Sequence, residues 1–154
     1  MLRVMEMGEG VHRIEAPDGA VVGWIRGRTV AFRGFADVDA ALDAAGPASA
    51  ALEKALRRQY PGWPHYEVER EKLRLVHDGA YEWVSDGTAP IARLVRPRED
   101  RAESYGLEFA LPSYASEGVA ITAAQSLWLA LADHVIGSVG TIVPDVPQGL
   151  AASA

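Results

Sequence analysis

The residues best suited to acid–base or metal chemistry are four histidines, His12, His65, His77 and His134. Imidazole is the one side chain whose ordinary titration falls near neutral pH, and it is also the commonest metal ligand. No histidine has a second one a helical turn away, so the paired spacing of a helix-borne metal site is missing. His77, with Asp78, Glu82 and Asp86 nearby in sequence, is the first place to look for a spatial cluster. A lone histidine is more often a structural group than a ligand, and that is the reading given to each. With no cysteine in the chain, thiolate nucleophiles, disulfides, iron–sulfur clusters and cysteine-ligated zinc are excluded together. The expectation is no catalytic residue, no metal site and no cofactor, with the chain leaning away from enzymes.

Two other groups could bind. Trp63, Tyr66, His77, Tyr81 and Trp83 would line an aromatic pocket, joined by Tyr105, Tyr114 and Trp128 under the last helix. Aromatics at strand and helix positions are core more often than pocket. Trp24, Arg26, Arg28 and Arg33 would make a sheet face able to grip phosphates and stack on bases. The run Gly34-Phe35-Ala36-Asp37 with Ala40-Ala41, following those arginines, resembles the hairpin-to-helix junction of AP2-type and integrase arm-binding domains. The resemblance covers about a quarter of the chain and implies a sheet that reads DNA, but at lower basic density.

Charge argues against that use. The net charge is −6, and residues 1–60 hold eight basic and eight acidic side chains. Residues 61–154 hold the remaining seven basic and thirteen acidic ones, so the whole excess lies there. A neutral half joined to an acidic half is a poor general ligand for a phosphate backbone. The three arginines are expected to be solvated or paired with Glu67, Glu69 or Glu71. No Walker-type or dinucleotide-binding glycine signature occurs, and no serine stands in a nucleophile elbow.

These side chains must be positioned by hairpins and helices. Pro17-Asp18-Gly19 is a turn, and Ala20–Arg26 with Arg28–Arg33 reads as a hairpin. A second hairpin is expected over Ala80–Ser85 and Ile91–Arg96, and a further strand over Tyr105–Leu111. Tyr66–Val76 alternates well enough for one long strand, with a phase slip near Arg70. Asp37 is a plausible cap for a helix from Val38, which Gly46-Pro47 should break or kink. Ser116 caps a last helix whose apolar residues include Val119, Ala123, Leu127, Trp128 and Leu131. The charged run 97–103 reads as a solvated loop, and the tail from Ser138 as extended.

The fold class is therefore α+β, antiparallel hairpins packed against helices. A duplicated ββα unit is one reading, because a 60-residue offset matches Asp18, Gly19, Ala20, Gly27 and Arg33 to Asp78, Gly79, Ala80, Gly87 and Arg93. Convergent turn chemistry explains the same matches. The expected division is 1–60, 61–137 and a tail 138–154, with the two units sharing a core. The expected function is a small non-catalytic domain acting through protein association or oligomerisation, most simply a homodimer. Small-molecule binding or catalysis in the aromatic pocket ranks second, and nucleic-acid binding third. The N-terminal residues hold no long apolar stretch, so no signal peptide, no membrane association and a cytoplasmic location are expected.

Overall fold

A computed structural model describes residues 2–64, 67–97 and 104–135. His65, Tyr66, most of the charged run 97–103 and the tail from Ser138 lie outside the described residues. Eight strands form one open antiparallel sheet: β1 (Arg3–Gly8), β2 (Val11–Glu15), β3 (Val21–Arg26), β4 (Thr29–Phe35), β5 (Arg74–Asp78), β6 (Tyr81–Ser85), β7 (Pro90–Val95) and β8 (Tyr105–Ala110). Two helices, α1 (Val38–Gln59) and α2 (Glu117–Leu131), pack on each other and on the sheet. The α+β class and the antiparallel hairpins expected from the sequence are those of the molecule. Among the described residues no helix is long and apolar enough to cross a membrane.

The strand order is β1-β2-β3-β4-β8-β7-β6-β5, which reads the same from either edge. The centre is the β4–β8 pair, where Val30 faces Phe109 and Phe32 faces Leu107. Each half is thus four strands followed by a helix. The 60-residue offset seen in the sequence aligns β3 with β6 and β4 with β7. The sheet instead mirrors β3 with β7 and β4 with β8, so the residues matched by that offset occupy non-equivalent positions in the two halves.

Local chemistry explains the elements. Gly27 supplies φ +59° at the first position of the two-residue turn between Arg26 and Thr29, where a hairpin needs positive φ. Gly23 is fixed by space: a Cβ there would lie 2.1 Å from the Ala31 carbonyl oxygen of the neighbouring strand. Asp37 caps α1 by accepting from the Ala40 amide at 2.7 Å, and Ser116 caps α2 by accepting from the Val119 amide at 3.2 Å.

Two expectations are corrected. Pro47 neither ends nor divides α1, which continues through it to Gln59. Proline removes one backbone donor, but buried Ala44, Ala45, Ala48 and Leu52 hold both sides of that turn on the core. The long strand over 66–76 is a short one: a single 3-10 turn at Arg70–Lys72 interrupts it, and β5 starts at Arg74. The phase slip near Arg70 marks that turn. A strand at Arg3–Gly8, not foreseen, adds the first edge.

The core is a single cluster drawn from both halves. Ile14, Ile25, Val30, Phe32, Val84, Ala92, Leu94, Leu107 and Phe109 supply the sheet side. Ala41, Ala45, Leu56, Ala120, Ala124 and Leu127 are among those on the helix side. Alanine is the commonest buried residue on both helices, which pack on each other. Trp128, expected on the buried stripe of α2, is only half-buried and stacks on Phe32 at 5.9 Å between ring centroids.

Candidate functional site

Cross-strand pairing divides the sheet into two faces, because residues directly opposite on neighbouring strands point the same way. One row runs Val4, Ile14, Gly23, Phe32, Leu107, Leu94, Glu82 and His77. Its Phe32 stacks on Trp128, so this is the face beneath the helices. The alternate row runs Met5, Arg13, Trp24, Ala31, Glu108, Arg93, Trp83 and Val76. It crosses all eight strands on the opposite face, which neither helix covers.

This open face is built from charges and flat aromatics. Glu15 accepts from Arg3 at 2.8 Å and also pairs with Arg13 at 2.8 Å. The hydrogen bond from Arg3, with the nearby charge of Arg13, holds the Glu15 carboxyl below its ordinary range against the opposing effect of burial. In the other half Arg93 meets Glu108 at 2.8 Å, and its guanidinium lies 4.9 Å from the Tyr81 ring centroid. Trp24 is only 6% exposed and lies outside the main core cluster, whereas Trp83 is half-buried.

The sequence-derived sites are distributed as follows. Of the first hairpin's group, Trp24 and Arg33 share the open face with Arg26, and Arg28 sits in the β3–β4 turn. Arg26 and Arg28 are exposed, and among the described residues neither forms an ion pair. Of the two outcomes expected for them, exposure to solvent is the one found, and they do not pair with Glu67, Glu69 or Glu71. Glu69 pairs with Lys72 at 3.1 Å instead, its closest cation across the short 3-10 turn. Of the aromatic group, Tyr81 and Trp83 lie on the open face while His77 lies on the other, across from Glu82. Trp63 packs near Tyr60 after α1, with ring centroids 6.5 Å apart. These residues do not converge on one described pocket.

His77 does approach Glu82, at 3.6 Å, but Arg96 is the main partner of that carboxylate. Arg96 donates from Nη2 to Glu82 Oε1 at 2.9 Å and from Nε to Oε2. Its hydrogen bonds hold Glu82 below the usual carboxylate range although burial opposes this. Glu82 is thereby neutralised at the sheet's inner margin. A groove of about 420 Å³ lies between α1 and residues 67–70. Two of its charged groups pair within it, Arg70 donating to Asp43 at 2.6 Å.

One cluster has no counterpart in the sequence reading. His12 is a buried residue of β2 opposite Glu6 of β1, and its Nε2 lies 2.8 Å from Glu117 Oε1 in the first turn of α2. One ligand atom from each of Glu6, His12 and Glu117 lies within 4.8 Å of the others. The three come from separate elements, with 105 residues between His12 and Glu117. No spacing rule could find them.

No family model, curated protein or solved structure matches the chain.

Proposed function

We propose that this chain is a protein-association module and that it joins a second copy of itself by continuing its sheet across β5. The observation that supports this most is the self-complementarity of that edge. β5 ends the strand order and is exposed along most of its length. The outward-facing backbone groups of such an edge favour another strand. An antiparallel pairing of β5 with its own copy about Val76 sets Arg74 opposite Asp78 at both ends. Val76, 45% exposed, then meets its own copy on the open face. Next to it in the same row stands Trp83, so apolar contact extends inward from the seam.

The opposite edge is a weaker candidate. Pairing β1 with itself about Met5 would set Arg3 against Met7 and Val4 against Glu6, with no opposite charges. β1 also carries an irregularity between Glu6 and Gly8, a device that discourages edge pairing. Arg74 currently donates to the Glu71 and Leu73 carbonyls at 2.6 and 2.8 Å, and it would exchange these for the partner's carboxylate.

The test is a charge exchange read by sedimentation velocity at tens of micromolar. The native chain is expected to sediment as a dimer. Arg74→Asp alone and Asp78→Arg alone each put like charges at both ends of the seam, and each is expected to give monomers. The double exchange restores the opposite pairs and should restore the dimer. A monomeric native chain, or single variants that remain dimeric, would overturn the reading.

A further inference from the structure

We propose that Glu6, His12 and Glu117 form a binding site for a divalent first-row transition ion of the zinc class. The proposal does not depend on self-association, since these residues lie at the β1 side of the sheet, away from β5.

The argument begins with the ring. His12 is 4% exposed, so packing fixes where its Nε2 points. A carboxylate only accepts, so Nε2 carries the proton in its 2.8 Å contact with Glu117. Nδ1 is buried, and among the described residues it has no partner. An ion bound at Nε2 displaces that proton to Nδ1, so the ring stays neutral and remains attached to Glu117 through shared coordination. It breaks no hydrogen bond at Nδ1, because none is made there.

The carboxylates supply the rest. Glu6 and Glu117 are both exposed, and their side chains can turn about the fixed imidazole. Bonds of about 2.0–2.2 Å set tetrahedral ligand atoms about 3.4 Å apart, so the carboxylates, whose ligand atoms now lie within 4.8 Å of the others, have to rotate inward to close on an ion. One imidazole with two carboxylates suits zinc, and manganese less tightly by the usual order of divalent affinities. Glu117 stands in the first turn of α2, whose amide end carries roughly half a positive charge and opposes a cation. Two carboxylates carry two negative charges against it, so the local balance still favours the ion. Three protein ligands leave a coordination position to water.

An ion there would tie the edge strand β1 to α2. The alternative is that His12 and Glu117 form only a structural contact, in which Glu6 takes no part. Glu6 therefore decides the matter. The full chain, expressed without an affinity tag and stripped with chelator, should take up one equivalent of zinc chloride in a calorimetric titration. Saturating zinc should raise its melting temperature by several degrees. Glu6→Gln leaves the His12–Glu117 contact in place and should leave the metal-free melting temperature unchanged. It is expected to weaken zinc binding at least tenfold. His12→Gln should abolish binding, and if that variant fails to fold, Glu6→Gln alone carries the test. No saturable zinc binding, or one-equivalent binding that Glu6→Gln leaves unchanged, would overturn the proposal.

Discussion

The two faces of the sheet are made from the same strands, residue by residue in alternation, and yet they are stabilised in different ways. Beneath the helices, Ile14, Phe32, Leu107 and Leu94 form a row held by exclusion of water and close fit. On the open face, Arg13, Glu108 and Arg93 share a row with Trp24, Ala31 and Trp83. That face is held by the Arg13–Glu15 and Arg93–Glu108 ion pairs and by the Tyr81 ring lying against the Arg93 guanidinium. The period of two assigns a side chain to a face, but it does not say which face will be covered. Helix placement decides that, through the capped starts of α1 and α2 and their packing on each other.

The contrast is sharpest for two large aromatics. Phe32 is fully buried and touches Trp128, so Phe32→Ala should cost about 3–5 kcal/mol. Trp83 is larger but half-buried on the open face, and Trp83→Ala should cost only about 1–2 kcal/mol on the area it covers. Urea denaturation of both variants checks the order. Equal losses would mean that the open face is packed as densely as the core.

A smaller effect concerns acid. Glu15 on the open face and Glu82 on the inner margin are both held below their ordinary range by arginine hydrogen bonds. A carboxylate with a lowered folded-state value contributes stability that is complete above its unfolded-state range. That contribution is lost as pH falls through the folded-state value. Stability should therefore decline from about pH 4.5 downward. Glu15→Gln and Glu82→Gln should each be less stable than the native chain at neutral pH and show a shallower acid decline. Acid titration followed by circular dichroism checks this, and an unaltered acid limb in both variants would break the claim.

Much of the scaffold was legible in the chain because its signals are local. Pro17-Asp18-Gly19, Asp37 and Ser116 mark a turn and two helix starts through contacts within a few residues. The edges were less legible. Arg3–Gly8 has a methionine–glutamate pattern with little burial, and β5 is cut short by a turn seen only as a phase slip. The sites were least legible, since they depend on register. His77 and Tyr81, four residues apart, fall on opposite faces, whereas Glu6 of β1 and Glu117 of α2 bring ligand atoms within 4.8 Å of each other. Register is set by irregularities such as those after Glu6, Ile14 and Arg33, which leave no clear mark in residue types.

The smallest expected effect is the most informative about the open face. Arg93 and Glu108 are directly opposite on β7 and β8, 2.8 Å apart, each with roughly a quarter to a third of its side chain exposed. If water reaches them, screening and side-chain entropy should reduce their coupling to about 0.2–1 kcal/mol. A double-mutant cycle with Arg93→Ala and Glu108→Ala isolates that coupling from the contact Arg93 makes with Tyr81, because the latter is lost equally with or without Glu108. The coupling should also shrink between low and high salt, as expected for exposed charges. A coupling above about 2 kcal/mol that ignores salt would belong to a desolvated pair. That result would mean that the face left open by both helices is covered in solution, and the distinction between the two faces would fail at its centre.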